Sequence, residues 1–137
     1  MRLISCFFLS MTAFGSMADL LVVTREDTGI SILSRQEISD LWLKKSQRVG
    51  QINLTVIDIK EKNPERSKFY HRVVGMTDNQ LKAYWAIEVF RGNGFPPVSL
   101  EDSEAVKAWV AGEKNRLGYL SDTEVSSPLK IIFQMED

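Results

Sequence analysis

The residues best suited to chemistry lie in a basic stretch, 60–72, which holds five basic residues against two acids. It surrounds a predicted helix start, where Asn63 can cap the helix and Pro64 suits its first position. Unpaired N–H groups and the positive end of the helix dipole favour an anion at such a start. Asn63, Arg66 and Ser67 are therefore candidate ligands of a small oxyanion.

The same stretch has a second interpretation, a solvated first turn whose charges form surface salt bridges. Glu65 would repel a bound anion from the helix start, and the Ser67 side chain can face elsewhere. The sequence leaves both interpretations open.

Other catalytic or metal-binding groups are scarce. His71 is the only histidine, and no Gly-x-Ser-x-Gly elbow surrounds any serine, so we interpret His71 as a surface residue and keep a hydrolase using it as a third hypothesis. One cysteine and one histidine exclude a disulfide framework and a Cys/His zinc site. The paired carboxylates fall in loops, caps or the tail and lack the spacing of a calcium loop. We expect no cofactor, no metal and no enzymatic activity.

The elements that must position the basic stretch are strands alternating with helices. Strands are predicted at 20–23, 53–59, 117–120 and 129–133 from apolar or β-branched runs. Helix starts are predicted at the capping boxes Ser34–Glu37 and Thr77–Gln80, at Asn63–Pro64, and at Asp102 or Ser103. The tryptophans, Trp42, Trp85 and Trp109, each lie at an apolar helix position and are predicted to pack in the core. This order predicts an α/β fold, a three-layer α/β/α domain with a mainly parallel sheet, in which ligands bind at the carboxyl ends of the strands.

Length, charge and the first residues restrict the class of protein. The 137 residues allow one domain, and a net charge of −1 argues against a nucleic-acid partner. Residues 1–18 have the three parts of a secretory signal peptide: Arg2, an apolar stretch, and small residues ending at Ala18. A membrane anchor would need about 20 apolar residues, and Asp19 arrives too early. We expect a bacterial periplasmic or secreted domain, 19–137, without cysteine and without a membrane span after cleavage.

Five motifs in register resemble those of the phosphate ABC-transporter substrate-binding proteins. The matching segments are Ser34–Lys44, similar to S-R-E-Q-L-x-D-I-F-x-G-K; Pro64–Tyr70, similar to S-P-x-R-x-x-F-Y; Val74–Trp85, similar to L-G-M-S-x-x-Q-L-x-x-Y-W; Phe90–Pro97, similar to F-x-G-x-G-x-P-P; and Leu117–Leu120, similar to I-G-Y-V. The resemblance extends from about Leu20 to Phe133 and is closest to the short, secreted members of that family.

The resemblance implies a single α/β lobe of a type II periplasmic binding protein. In the full-length proteins of that family, phosphate is held between two lobes by backbone N–H groups, hydroxyls and an arginine. Their Ser-Gly-Thr-type loop aligns here with Asn63–Glu65, so the serine-rich loop is absent, while Arg66 matches the arginine of the short members. Lys44 keeps the position of the family's lysine, but the preceding glycine is replaced by Leu43.

Two functions follow as expectations. The first is an exported, non-enzymatic solute-binding protein for phosphate or a similar oxyanion, serving an ABC transporter. Because one lobe leaves its ligand half exposed, a tight site would need a second copy or another envelope protein. The alternative is an envelope adaptor without a small ligand, with the loop Gly92–Pro97 and its Phe95 as the contact.

Overall fold

The computed structural model describes residues 20–121 and 125–135. Its strands are β1 (Leu20–Arg25), β2 (Arg48–Val49), β3 (Ile52–Asn53), β4 (Thr55–Val56), β5 (Asp58–Ile59), β6 (Ser99–Leu100), β7 (Arg116–Ser121) and β8 (Leu129–Met135). Its helices are α1 (Arg35–Trp42), α2 (Pro64–Phe69), α3 (Asp78–Phe90) and α4 (Ser103–Gly112), and a π-helical turn, Tyr70–Val74, follows α2 directly. The predicted signal peptide, 1–18, lies outside the described residues. No helix within the described ranges is long and apolar enough to span a bilayer.

The central sheet has the order β4-β7-β1-β8. β4 runs parallel to β7, and β5 runs parallel to β6. Ile57 links β4 to β5, because its N–H donates to Leu117 O at 3.1 Å while the next N–H, from Asp58, donates to Val98 O at 2.8 Å. The predicted α/β class is confirmed. The strands around β4 and β5 run parallel as predicted, whereas β1 runs antiparallel to both neighbours, so the complete sheet is mixed.

The two faces of β7 show the three-layer arrangement. Successive side chains of a strand point to opposite faces of its sheet. A Cβ on Gly118 would lie 2.3 Å from Val106 Cγ1 of α4, so α4 packs closely on that face. Tyr119, the next residue, stacks on Phe69 of α2 with ring centroids 3.9 Å apart. Helices therefore cover both faces, as the predicted α/β/α order requires.

The helices begin where local signals predict. Ser34 Oγ accepts from Glu37 N–H and the Glu37 carboxylate accepts from Ser34 N–H, each at 3.1 Å. Thr77 forms the same capping box with Gln80. Such reciprocal bonds satisfy donors that a helix start leaves unpaired, so the predicted starts are confirmed.

Aromatic side chains dominate the core beside α2. Trp42, Phe69 and Tyr119 contact one another and are fully buried, and Trp42 Nε1–H donates to Ile57 O at 3.1 Å. Burying a side chain of this size contributes about 1.5–3 kcal/mol. Trp85 is also buried, but Trp109 is only partly buried and carries the Arg116 guanidinium 4.5 Å above its ring. Trp42 and Trp85 thus lie in the core as predicted, and Trp109 packs against its edge.

Candidate functional site

The predicted cap at the start of α2 is present. Asn63 Oδ1 accepts from Glu65 N–H at 3.0 Å, and Asn63 Nδ2 donates to Glu101 O at 3.3 Å. Both ends of the Asn63 amide are therefore engaged by the protein itself. Asn63 fixes the start of α2 and ties it to the end of β6.

A carboxylate of the protein lies beside this helix start. Glu65 Oε2 accepts from the Ser103 hydroxyl at 2.7 Å and from Ser121 N–H at 3.3 Å. These two donors belong to the start of α4 and the end of β7, at the carboxyl edge of the parallel strands. Donors of this kind would otherwise suit an external anion. In this structure they are satisfied by Glu65.

Much of the positive charge in the basic stretch is neutralised locally. Glu101 pairs with Lys60 and with Lys62, the latter at 3.5 Å between Nζ and Oε2. The hydrogen bond from Lys60 lowers the pKa of Glu101 below its usual value, with a further contribution from the charge of Lys62. Lys68 and Arg72 have partners of their own. The surface-charge interpretation therefore describes these four basic residues well.

Ser67 connects α2 to α3. Its hydroxyl lies 2.7 Å and 2.8 Å from the two carboxylate oxygens of Asp78, the first residue of α3. A hydroxyl has one proton, so it donates to one oxygen at a time. Ser67 does not face an empty anion position; it holds the Asp78 carboxylate.

Arg66 differs from the other predicted site residues. Its side chain is only 17% exposed, its Nε lies 3.6 Å from Asp58 Oδ2, and its guanidinium lies 5.3 Å from the centre of the Tyr70 ring. The separation from Asp58 exceeds a hydrogen bond, and the buried Nε–H has no hydrogen-bond partner in the described part of the chain. Arg66 is thus held in place by charge and ring contacts while this donor remains unsatisfied.

Arg66 lines a cleft of about 170 Å³ between α2 and α3. The lining residues are Glu61, Arg66, Asp78, Leu81, Lys82, Trp85 and Pro96. Trp85 is 7% exposed, and its buried indole N–H also lacks a partner among residues 20–121 and 125–135. Buried polar groups are nearly always hydrogen-bonded, so two unsatisfied donors on residues of one cleft require an explanation.

The buried carboxylate of Asp58 lies next to Arg66. Asp58 is 1% exposed and accepts from Ile59 N–H at 2.8 Å, from Tyr70 Oη–H at 2.6 Å, and from Tyr119 Oη–H. Burial, followed by the negative charge of Asp58, raises the pKa of Tyr70 and of Tyr119 well above the usual range. Sequence reasoning missed this cluster. The available signal was an aspartate inside an apolar, β-branched run, since a charged residue in a buried strand needs partners.

The other candidate groups do not assemble into a second site. His71 is exposed on the π-helical turn, and the structure shows no hydrogen bond between it and a serine in the described segments. Within those same segments no group of three His, Cys, Asp or Glu side chains is arranged to hold a metal ion. Among the described residues, the Arg66 cleft is therefore the candidate site.

Comparisons with known proteins fit the fold. No protein-family model matches the sequence, and no curated protein sequence matches it significantly. Solved structures do match. A protein assigned as a phosphate ABC transporter substrate-binding protein from Clostridium perfringens, with bound phosphate, is similar with a TM-score of 0.62 and 16% identity, over 84% of this chain and 44% of that one.

Two further structures give the same result. An ABC-type phosphate transport receptor from Vibrio cholerae has a TM-score of 0.64 and 13% identity, over 84% of this chain and 46% of its own. PstS from Borrelia burgdorferi has a TM-score of 0.58 and 12% identity, over 77% of this chain and 42% of its own. The chain thus spans less than half the length of these proteins.

What the comparisons establish is the fold. The chain shares its α/β fold with these solved structures, and the resemblance inferred from its motifs is confirmed at the level of the fold.

Proposed function

We propose that this chain is a non-enzymatic solute-binding lobe that binds phosphate or a similar small oxyanion with Arg66 as its anchor. The observation that carries the proposal is that Arg66 lines the cleft between α2 and α3 while its buried Nε–H has no hydrogen-bond partner among the described residues. A guanidinium presents several N–H donors in one plane, which suits the oxygens of an oxyanion. The anion site lies along the side of α2, one turn beyond the predicted helix start.

The remaining cleft residues complement a protonated oxyanion. Lys82 supplies a second positive charge, and the Trp85 indole supplies a second N–H donor. The carboxylates of Glu61 and Asp78 can accept from an oxyanion that retains a proton, as phosphate does at neutral pH, but they repel one without a proton. Ser67 positions Asp78 for this role, and Asn63 fixes the start of the helix that carries Arg66. The three predicted site residues thus act together, with Arg66 in contact with the ligand.

The setting we propose is the bacterial periplasm or the exterior, after removal of residues 1–18. A single lobe presents a bound anion partly to water, because it covers only one side of its ligand. A second copy or another envelope protein would close the site, and an ABC transporter is the natural acceptor of a solute held in this way. Support comes from the fold of the neighbours and from the leader-like sequence.

The experiment is a calorimetric titration of the purified protein with phosphate, and separately with sulfate. We expect a saturable heat of binding and a dissociation constant for phosphate of about 1 mM or lower. A dissociation constant of about 1 mM corresponds to a binding free energy of about −4 kcal/mol. R66Q should weaken binding by about tenfold or more, because a hydrogen bond to a charged group contributes about 1.5–3 kcal/mol. R91Q changes an exposed arginine outside the cleft and is the matched control. Absence of heat, or equal affinity in R66Q and R91Q, would refute the proposal.

A second candidate function, an envelope adaptor, is favoured by exposed aromatic side chains. Phe90 is 92% exposed and Phe95 is 70% exposed, at the end of α3 and in the loop that follows. Exposed aromatic groups of this size are typical of contact surfaces. Crosslinking in native envelopes should then capture a partner that F90S and F95S release, while R66Q retains it. Identical crosslinks in all three variants would exclude a role for this surface.

A further inference from the structure

A second concave surface lies beside β4, and it shares only Pro96 with the Arg66 cleft. It is a groove of about 490 Å³. Its walls are mainly apolar and include Leu54, Val56, Pro96, Val98, Leu100 and Trp109. Small-molecule sites are usually concave, mostly apolar and of about 300–1,000 Å³. By size and lining, the groove belongs to that class.

Local sequence explains why a groove stands here. Thr55 N–H and Ile57 N–H donate to the carbonyls of Asn115 and Leu117, so the backbone of Val56 between them faces the other way. β4 is the edge of the four-stranded sheet on that side. Pro96 and Pro97 occupy the segment before β6, and proline has no N–H with which to extend the pairing. The groove lies where the segment before β6 does not pair with the free edge of β4.

Charge in the groove is limited to one residue. Among the described residues that line it, Lys44 is the only charged one. Lys44 follows α1 directly after the C-cap Leu43 and has a φ of +55°. Glycine is the usual residue at that left-handed position. Lys44 therefore lines the groove from a backbone position at which glycine would be less strained.

We propose that this groove binds a small amphipathic carboxylate, such as a medium-chain fatty acid. The apolar body of the ligand packs against Leu54, Leu100 and Trp109, and its single negative charge lies beside Lys44. A singly charged apolar acid complements this groove, because Lys44 is the one cation among the described residues of an otherwise uncharged and mainly apolar surface. This site is independent of Arg66 and does not rest on phosphate binding.

Tryptophan fluorescence provides the readout, since Trp109 lines the groove, whereas Trp42 and Trp85 do not. The purified protein is titrated with octanoate and, separately, with octanol, which has the same chain and no charge. We expect a saturable change with octanoate that W109F abolishes. K44Q should weaken octanoate binding by about threefold to fivefold, the upper part of the range of an exposed ion pair, and leave octanol binding unchanged.

Two variants complete the design. K45Q removes the neighbouring exposed lysine, which does not line the groove, and should bind octanoate like the unmodified protein. K44G removes the charge and relaxes the backbone, so it should weaken octanoate binding while the protein unfolds at higher urea concentration. No saturable octanoate signal, or equal losses in K44Q and K45Q, would overturn the proposal. Phosphate heats should be the same in K44Q and the unmodified protein, which separates this site from the Arg66 cleft.

Discussion

Replacement of Asp58 by asparagine tests the buried cluster that holds Arg66. The carboxylate is 1% exposed and accepts three hydrogen bonds, from Ile59 N–H and from the hydroxyls of Tyr70 and Tyr119. A hydrogen bond to a charged group contributes about 1.5–3 kcal/mol, against about 0.5–1.5 kcal/mol for a neutral one. Asparagine keeps one acceptor oxygen, while its amide nitrogen only donates, so the Tyr70 bond would have to reverse its direction. Three weakened bonds amount to about 3–4.5 kcal/mol. Relief of the cost of burying a charge offsets part of this, so D58N should lower the free energy of unfolding by about 2–3 kcal/mol.

The assay is equilibrium urea unfolding, with the slope of the transition checked for constancy. D27N is the matched control, because Asp27 pairs with Arg25 through a bidentate contact at the surface. An exposed pair contributes at most about 1 kcal/mol, so D27N should change stability little. Equal losses in D58N and D27N, or a more stable D58N, would refute the view that Asp58 is a satisfied buried anion.

Three further predictions concern packing, pH and the leader. G118A should cost about 1–3 kcal/mol in urea unfolding, because its Cβ would lie 2.3 Å from Val106 Cγ1; an unchanged midpoint would contradict the close approach of α4 to β7. The pKa of Tyr70 and Tyr119 is raised by folding, so their contribution to stability is complete below the unfolded pKa of about 10 and is lost as pH rises above it. The urea midpoint of unfolding should therefore fall as the pH rises through this alkaline range, and it should fall less steeply in Y70F. A midpoint that does not change with pH would contradict the raised pKa of the two tyrosines. Mass spectrometry of the exported protein should find a chain that starts immediately after Ala18; an intact leader would contradict the signal-peptide prediction.

The helix starts could be predicted from sequence because their determinants are local. Ser34 and Glu37 are three residues apart, and the side chain of Asn63 reaches the N–H of Glu65 two residues later. Such pairs depend on a single turn of backbone and little else. The same locality made the end of the π-helical turn at Gly75 predictable, since its φ of +81° favours glycine.

The site could be predicted only in part because its contacts are distant in sequence. Asp58 and Tyr119 are 61 residues apart, and nothing near either one indicates the pairing. Ser67 meets Asp78 across two helices, which no spacing rule specifies. The direction of the strands next to β1 could not be predicted from the sequence either, because an apolar run such as β1 is compatible with parallel and with antiparallel neighbours. Arg66 could be singled out from the sequence as a candidate, but the cleft that it lines depends on how α3 packs.

Nuclear magnetic resonance of the side-chain N–H groups tests the central claim most directly. On titration with phosphate, the Trp85 indole N–H and the Arg66 Nε–H should shift together and saturate, because both belong to residues that line the Arg66 cleft and have no hydrogen-bond partner among the described residues. The Trp42 indole N–H donates to Ile57 O and should not move. Signals of Arg66 and Trp85 that stay fixed, or that shift no more than the Trp42 signal, would contradict anion binding in this cleft.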